Sequence, residues 1–381
     1  MPSENASGAV KITLDVGTAY DFFQSLAVLH APKKYGVRGA WASGMLARLS
    51  TESRETLGRA TSVHPYAMHY LPELPRPKNV ETLLWNLSKM DAVERLRTLS
   101  CGWEVKSKGC LSLLEEVADR GRWEAEDLKL FSESMAGDDG KPHSEKKLAV
   151  VLDIWANAEE FGEAYLSALR NYQDVFFSEE EKRIEPAIRA AAERISERIG
   201  KVPVADLIEE ISAGIRYETL PDVTELVIAP SFWITPLLMT IVLGERRHLL
   251  IFGARTGQDS VVPGATVPME LIRALKAVSD PTRLRTLRLI SKQPMGAAGL
   301  ARTLRLRTPT MMHHLHALRL SGLVRIQVPE PDAKEKASYS LRESAVKDLV
   351  DQLERFLLTD ETDERKKSEQ TDDKAPVKRE G

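Results

Sequence analysis

The sequence predicts an α+β protein that is mostly α, in which a large helical N-terminal domain with a few strands precedes a small C-terminal domain. Three observations lead to this prediction. Apolar residues recur at intervals of three and four over most of the chain, which is the spacing of amphipathic helices. Strand-like patterns are confined to a few short segments. Near the C-terminus, several short helical patterns are followed by two short strand patterns, so the last domain combines helices with a β-hairpin.

One helix of the C-terminal domain has a well-marked start. Residues 279–281 (Ser-Asp-Pro) supply a capping side chain followed by a proline, whose missing N–H costs no hydrogen bond in the first turn. Leu284, Leu287 and Ile290 then recur at helical spacing and are predicted to face the core. Three arginines are predicted on the opposite face: Arg283, Arg285 and Arg288.

Two shorter helices and a hairpin are predicted next. Residues 296–304 form the first helix and residues 308–322 the second, and two short helices joined by a tight turn are the signature of a helix-turn-helix. The alternating residues 324–328 and the segment 338–341, separated by a turn rich in proline and charge, predict a β-hairpin, or wing. The sequence therefore predicts a winged helix-turn-helix DNA-binding domain over residues 268–358.

Two segments of this domain resemble a known family. DPTRLRTLRLI (residues 280–290) and LARTLRLRTPTMMHHLHALRLSGLV (residues 300–324) look like the winged-helix domain of the ArsR/SmtB family of bacterial transcription regulators. The resemblance covers about a quarter of the chain. It implies a dimeric protein that binds an operator, usually a repressor that is released by a ligand.

The sequence departs from that family at the known metal sites. Residues 297–299 (Ala-Ala-Gly) stand where metal-sensing members have a Cys-x-Cys pair, and residues 342–358 contain no histidine. His313, His314 and His316 are close in sequence, but side chains at i, i+1 and i+3 of a helix do not converge on one point. We therefore expect no metal and no cofactor.

Charge is distributed unevenly along the 381 residues, although the net charge is only −3. Residues 267–358 carry 16 Lys and Arg against 9 Asp and Glu, whereas residues 1–266 carry 31 against 39. Between residues 271 and 328 there are 11 basic residues and a single acid, Asp280. A basic module beside an acidic domain is the electrostatic pattern of nucleic-acid binding, and we expect double-stranded DNA as the partner.

The second helix of the motif carries the predicted base-reading residues. Thr308 is predicted to cap it, and Met311, Leu315 and Leu318 form a stripe that must face the core. The opposite face is suited to enter the major groove, while His314 lies nearer the core and is better explained as a structural residue. The candidates for base contacts are Thr310, Met312, His313 and His316. The candidates for phosphate contacts, which set affinity and register but not sequence, are Arg302, Arg305, Arg307, Thr308, Arg325, Lys334 and Lys336.

The last predicted helix, which ends near residue 358, carries an apolar stripe at i, i+3, i+4 and i+7 spacing. This face could cover its own domain. The resemblance instead implies that it packs across a two-fold axis of a homodimer, beside the helix over residues 269–277, and we favour this alternative. The candidates for the dimer interface are Leu349, Val350, Leu353, Phe356 and Leu357.

The N-terminal domain is predicted over residues 8–253. Residues 225–229 and 248–252 are apolar throughout, which predicts strands buried on both faces. A long helix is predicted over residues 144–172. A second begins at Ser178, with a glutamate three residues later as a capping box.

The function of this domain is less well defined by the sequence. The segment AYDFFQSLAVLHAPKKYGVRGAW (residues 19–41), together with LVIAPSFW and HLLIFGARTG further along, resembles an N-terminal domain found fused to ArsR-type winged helices, whose role the resemblance does not define. All six tryptophans lie in this part of the chain. We predict a sensor or dimerisation domain in which a small organic effector binds within residues 10–253. The alternatives are an enzyme, or a purely structural dimerisation module.

Other classes of function find little support. The sequence has no HExxH, GxSxG, GxxxxGK[ST] or CxxC motif, so we expect no catalytic residues and no enzyme. Cys101 and Cys110 are too few for a disulfide framework, which fits a cytoplasmic protein. The apolar run over residues 226–243 is interrupted by prolines, which disfavours a membrane span. Residues 254–267 are predicted as a linker and residues 359–381 as a disordered charged tail.

Overall fold

A computed structural model describes residues 10–63, 67–103, 105, 109–135, 144–218, 222–235, 237–256, 259, 267–330 and 336–358. The chain divides into two compact units. The first consists of Met1–Thr256 with Ile326–Ala337, and the second of Gly257–Arg325 with Ser338–Gly381. Most of the predicted linker and all of the predicted tail lie outside the described residues, and the domain boundaries stay a prediction.

The described part of the chain is mostly helical with a few strands, which confirms the predicted fold class. Among the described residues, the α-helices of the first unit are α1 (Ala19–His30), α2 (Gly39–Leu46), α3 (Thr51–Val63), α4 (Val80–Lys89), α5 (Ala92–Ser100), α6 (Cys110–Arg120), α7 (Ala125–Ser134), α8 (Glu145–Ala156), α9 (Ala158–Tyr172), α10 (Ser178–Ser196) and α11 (Val204–Ile211). Those of the second unit are α12 (Met269–Val278), α13 (Pro281–Ile290), α14 (Ala297–Leu304), α15 (Thr308–Leu320) and α16 (Glu343–Leu358). No helix among the described residues is both long and apolar enough to cross a membrane.

The main sheet belongs to the first unit. In chain order, the strands in the described part of the chain are β1 (Lys11–Leu14), β2 (Ile215–Tyr217), β3 (Glu225–Ser231), β4 (Leu238–Gly244), β5 (Arg247–Gly253), β6 (Met295–Gly296), β7 (Val324–Val328) and β8 (Ser338–Leu341). The main sheet has the order β1-β3-β5-β4, with β1, β3 and β5 parallel and β4 antiparallel to β5. The two predicted buried strands are confirmed as its central pair, β3 and β5. We did not predict β4, because its apolar residues continue the apolar run of β3.

A second parallel pairing in the first unit was also not predicted. β2 pairs with residues 326–328 of β7, with Ile215 opposite Ile326 and Tyr217 opposite Val328. The N–H of Ile326 donates to the carbonyl oxygen of Gly214 at 2.7 Å. A strand of three residues whose partner lies far away in the chain leaves no local pattern to recognise.

The prediction of one helix over residues 144–172 is wrong. The segment forms two helices, α8 and α9, because Asn157 at their junction leaves helical geometry with φ −123° and ψ 40°. At its other end, α9 continues through a π-helical turn, Gln173–Phe177, directly into α10. The predicted break between the two helices, after residue 172, therefore lies about four helical turns beyond the observed break at Asn157.

The predicted capping box at the start of α10 is also wrong. Ser178 has helical backbone angles, so it does not cap the helix. Glu181 lies against another helix instead, where its Oε1 accepts the backbone N–H of Val80 at 3.2 Å and the hydroxyl of Thr18. Val80 is the first residue of α4, and the carboxylate therefore satisfies a donor that α4 cannot pair internally.

A buried ion pair fixes the end of β1. The side chains of Lys78 and Asp15 are 5% and 6% exposed, and Nζ lies 2.7 Å from Oδ2. Nζ also donates to the carbonyl oxygens of Leu71 and Pro72 at 2.8 and 2.7 Å. Since the ammonium group has three protons, all of them are used. Tyr20 donates its hydroxyl to the same carboxylate.

A second buried carboxylate fixes the end of β3. Asp21, in α1, is fully buried and accepts hydrogen bonds from the hydroxyl of Ser231 at 2.7 Å and from the N–H groups of Phe232 and Trp233 at 3.1 and 2.9 Å. Burial raises the pKa of Asp21 to about 6, although these hydrogen bonds and Arg255 act in the opposite direction. The carboxylate thus accepts hydrogen bonds from the backbone N–H groups of Phe232 and Trp233, which follow β3 and have no partner strand among the described residues.

The raised pKa of Asp21 predicts a pH dependence of stability. The folded protein binds this proton more readily than the unfolded chain, because its pKa is about 6 rather than 3.8. The stabilising contribution is therefore complete below about pH 4 and is lost as the pH rises through about 6. Two pKa units correspond to about 3 kcal/mol. The unfolding free energy of the wild type minus that of Asp21→Asn, measured with denaturant, should fall by about this amount from low to neutral pH. A difference that does not vary with pH would contradict the prediction.

Candidate nucleic-acid interface

The only acid in the predicted basic stretch is used as a helix cap. The carboxylate of Asp280 accepts the backbone N–H of Arg283, three residues into α13, at 2.9 Å. This hydrogen bond is the main cause of the lowered pKa of Asp280, and the charges of Arg283 and His314 add to it. With this one carboxylate against 11 basic residues, the stretch keeps a large positive net charge.

The inward face of α13 is rotated relative to the prediction. Leu287 and Ile290 are buried as predicted, but Leu284 is 49% exposed, so its predicted core position is wrong. Thr286 is fully buried instead, and its hydroxyl donates to the carbonyl oxygen of Thr282 at 2.8 Å. That internal bond satisfies the polar group of a threonine, which allows it to occupy a core position that apolar patterning assigns to leucine.

The turn between α14 and α15 is compact. Arg305 adopts a left-handed conformation, with φ 57° and ψ 43°, and the N–H of Leu306 donates to the carbonyl oxygen of Ala301 at 2.8 Å. Residues other than glycine seldom take this conformation. It reverses the chain immediately after α14, so that α15 starts three residues later.

The core stripe of α15 is confirmed. Met311, Leu315 and Leu318 are 0%, 1% and 0% exposed, and α15 packs against both α14 and α13. Because three anchors along one side of the helix are buried, the opposite side of the helix is directed outward. His314 is partly buried as predicted, with a 14% exposed side chain whose Nδ1 lies 4.0 Å from Asp280.

The four candidate base-reading residues share the outward face of α15. Each of them is exposed: Thr310, Met312, His313 and His316. The predicted cap is wrong by one position, because Arg307 occupies the N-cap while Thr308 and Pro309 are the first two residues of the helix. Thr308 is itself exposed, so its hydroxyl remains free to face a phosphate.

The candidate phosphate residues differ in exposure. The exposed ones are Arg302, Arg305, Arg307, Thr308 and Lys336. Arg325, on β7, is half-buried, and Lys334 lies outside the described residues. Both predicted wing strands form, as β7 and β8, and they are neighbours in one sheet. Two further exposed arginines, Arg285 and Arg288 on α13, were not among the predicted contacts, although their position opposite the core stripe of α13 was visible in the sequence.

The C-terminal end of α15 is fixed by a glycine turn. Gly322 has φ 71°, a conformation that favours glycine. Its carbonyl oxygen accepts a hydrogen bond from Nη1 of Arg342 at 2.7 Å. Arg319, in the last turn of α15, is 6% exposed. Burial, together with the charge of Arg342, lowers its pKa to about 10. Arg319 therefore belongs to the framework of the domain and not to the surface that faces outward.

The apolar stripe of α16 is incompletely covered by the described part of the chain. No residue of this helix is buried, although α16 packs against α12. Leu349 and Leu353 are half-buried, whereas Val350, Phe356 and Leu357 are 58%, 42% and 66% exposed. Large apolar side chains aligned on one face of an exposed helix are typical of an interaction surface.

Comparison with known proteins agrees with this geometry. Residues 278–327, which include α13, α14 and α15, match the model of a family described as a helix-turn-helix domain. This segment is a helix-turn-helix domain. The fold and its exposed basic residues indicate DNA binding. No curated protein and no solved structure matches the chain. Among the described residues, no group of three or more His, Cys, Asp and Glu side chains is arranged to hold a metal ion.

Proposed function

We propose that this protein is a sequence-specific transcription regulator that binds a double-stranded DNA operator through an ArsR-type winged helix. The observation that carries the proposal is the division of α15 into two faces. Met311, Leu315 and Leu318 anchor one face in the core, while the other is exposed and is flanked by exposed arginines. A helix of this kind, at the second position of a helix-turn-helix, is suited to the major groove.

Each exposed residue has a role in this proposal. Thr310 and His313 lie in the N-terminal half of α15 and contact base edges, through a hydroxyl that bonds to several bases and an imidazole that donates or accepts. Met312 and His316 complete the base-reading face. The phosphate contacts come from α14, from the turn before α15, from Thr308 and from the wing. The residues are Arg302, Arg305, Arg307, Thr308, Arg325, Lys334 and Lys336.

The regulator works as a homodimer in this proposal. The uncovered stripe of α16 supports it, because a second copy that packs the same stripe across a two-fold axis would cover both. The interface residues are Leu349, Val350, Leu353, Phe356 and Leu357. Such a dimer reads two half-sites of an operator, and half-site spacing follows from its geometry.

The regulator is a cytoplasmic repressor in this proposal, it is not an enzyme, and an organic effector gates it from within residues 10–253. Selection of bound fragments from a random DNA pool, followed by genome-wide mapping of occupied sites, tests the DNA-binding part. Recovery of a two-fold-symmetric sequence that binds at physiological salt supports it. Enrichment of no sequence over random DNA would contradict it.

The base and phosphate roles predict different mutant behaviour. Thr310→Ala and His313→Ala should relax sequence preference at one or two base pairs per half-site, with about 1–3 kcal/mol of discrimination lost per contact. Arg305→Ala and Arg307→Ala should weaken binding to all sequences alike and reduce the salt slope by about one each per half-site. Fluorescence anisotropy with matched and mismatched duplexes at several salt concentrations measures both effects.

The matched control for these variants is Arg170→Ala, which removes an exposed guanidinium from α9 of the first unit. It should change neither the discrimination between sequences nor the salt dependence of binding. Alanine at position 305 keeps a Cβ, so the left-handed backbone is equally strained in the variant. If both classes of variant lost affinity uniformly across sequences, the base-reading assignment of α15 would be wrong.

A further inference from the structure

The first unit contains a small cavity between α11 and one face of the main sheet. β2 closes one side of it. The cavity has a volume of about 40 Å³, and all of its lining residues belong to the first unit. The lining residues are Val10, Val204, Ile208, Tyr217, Val223, Leu226, Thr240, His248 and Leu250.

The lining favours a neutral ligand with an apolar body. Six of the nine side chains are aliphatic, and the polar ones are the hydroxyls of Tyr217 and Thr240 and the imidazole of His248. Burial lowers the pKa of His248, so this ring is neutral at pH 7. Apolar walls with a few converging hydrogen-bonding groups are typical of sites for small organic molecules.

The volume restricts the part of a ligand that enters. A cavity that accepts benzene has about 150 Å³, nearly four times the volume of this one. The cavity therefore accommodates a branched aliphatic group of a few carbons. Thr240 is exposed, so the remainder of a longer molecule can leave the cavity past this residue.

The cavity wall is connected to the wing strand through β2. Tyr217 is the last residue of β2 and stands opposite Val328 of β7. Next to this pair, the N–H of Glu218 donates to the carbonyl oxygen of Val328 at 3.0 Å, and Nε2 of Gln327 donates to Oε1 of Glu218 at 2.8 Å. A molecule that displaces Tyr217 therefore acts on the strand whose hydrogen bonds hold residues 326–328.

Strand β7 follows α15 directly in the chain. β7 begins at Val324, four residues after α15 ends at Leu320. A change in the pairing of β2 with β7 is consequently transmitted along a short segment of chain toward α15. An effector can change DNA affinity only if it binds differently to the two states of such an element.

We propose that this cavity is the effector site: it binds a neutral organic molecule with a short branched aliphatic group and one hydrogen-bonding group, and its occupancy alters the pairing of β2 with β7 and thereby DNA affinity. The proposal rests on the DNA-binding function proposed above. It locates the effector site at nine residues within the range 10–253.

The test uses isobutanol as the probe and three variants of the full-length protein. Val204→Phe fills the cavity from α11, and Val204→Ala enlarges it. Leu130→Phe is the control, because Leu130 lies on α7, is 44% exposed and does not line the cavity. Thermal unfolding with increasing isobutanol measures binding. Fluorescence anisotropy with the selected duplex measures DNA affinity, with and without the probe.

Isobutanol at about ten times its Kd should raise the unfolding midpoint of the wild type and of Val204→Ala by about 2–4 °C, relative to Val204→Phe, which reports the general effect of the solvent. It should change the DNA affinity of the wild type by about fivefold or more. Val204→Phe should show the changed affinity without the probe and should no longer respond. Leu130→Phe should behave as the wild type.

Two results would overturn the inference. The first is an equal effect of isobutanol on the unfolding midpoints of wild type, Val204→Ala and Val204→Phe, which would make the cavity a packing defect. The second is binding in the cavity with unchanged DNA affinity, which would separate the site from regulation. If Val204→Phe fails to fold, Thr240→Phe, which narrows the cavity from its exposed rim, replaces it in both comparisons. Failure of the proposed function is distinguishable, because the wild type would then bind no selected duplex even without the probe.

Discussion

Leu353→Glu should convert the proposed homodimer into a monomer that retains its helical content. Leu353 lies in the middle of the apolar stripe of α16 and is half-buried. In the proposed homodimer, two introduced carboxylates would face each other near the two-fold axis, and burial of an unpaired charge costs several kcal/mol. Glutamate is a good helix former, so the helix itself should persist. Operator affinity should fall by about 10²- to 10⁴-fold, because the two half-sites would no longer be bound as one.

The matched control is Leu358→Glu, which makes the same substitution in the same helix. Leu358 is 76% exposed and lies well away from the stripe around the helix axis, so this variant should remain dimeric and bind DNA normally. Sedimentation and circular dichroism distinguish the outcomes. A Leu353→Glu protein that sediments as a dimer would move the interface away from α16.

Lys78→Met should destabilise the first unit by about 3–5 kcal/mol, since it would leave the carboxylate of Asp15 buried without its cation. Three acceptors lose the ammonium group at once, namely Asp15 and the carbonyl oxygens of Leu71 and Pro72, although Leu71 still accepts the N–H of Leu74. Only the hydroxyl of Tyr20 would still donate to Asp15 among the described contacts. Natural domains are stable by about 5–15 kcal/mol, so a loss of this size is readily measured by denaturant unfolding.

Two comparisons isolate the buried charge as the cause. The double variant Asp15→Asn with Lys78→Met should recover most of the lost stability, because replacing both partners of a buried pair leaves no uncompensated charge. Lys11→Met removes a lysine from an exposed pair with Glu225, where the lysine side chain is 73% exposed. It should cost less than about 1 kcal/mol. If Lys78→Met alone were as stable as the double variant, the buried ion pair would not stabilise this part of the fold.

The sequence determined the helix-turn-helix and most of its outward face. The core stripe of Met311, Leu315 and Leu318 was predictable from the sequence, because helical periodicity assigns residues to faces without reference to the rest of the fold. The exposure of Thr310 and His313 follows from the same geometry. Leu284 shows where this reasoning fails, since an internally hydrogen-bonded Thr286 took the core position that hydrophobicity assigned to leucine.

Tertiary structure alone decided the features that depend on residues distant in the chain. Glu181 follows Ser178 at the spacing of a capping box, yet it binds Val80 because α4 presents an unpaired N–H at that place. The ion pair of Asp15 with Lys78, the cavity beside Tyr217 and the parallel pairing of β2 with β7 likewise join separate segments. A local pattern records the period of a helix or strand, but it holds no information about which donor, charge or strand edge the folded chain will bring next to it.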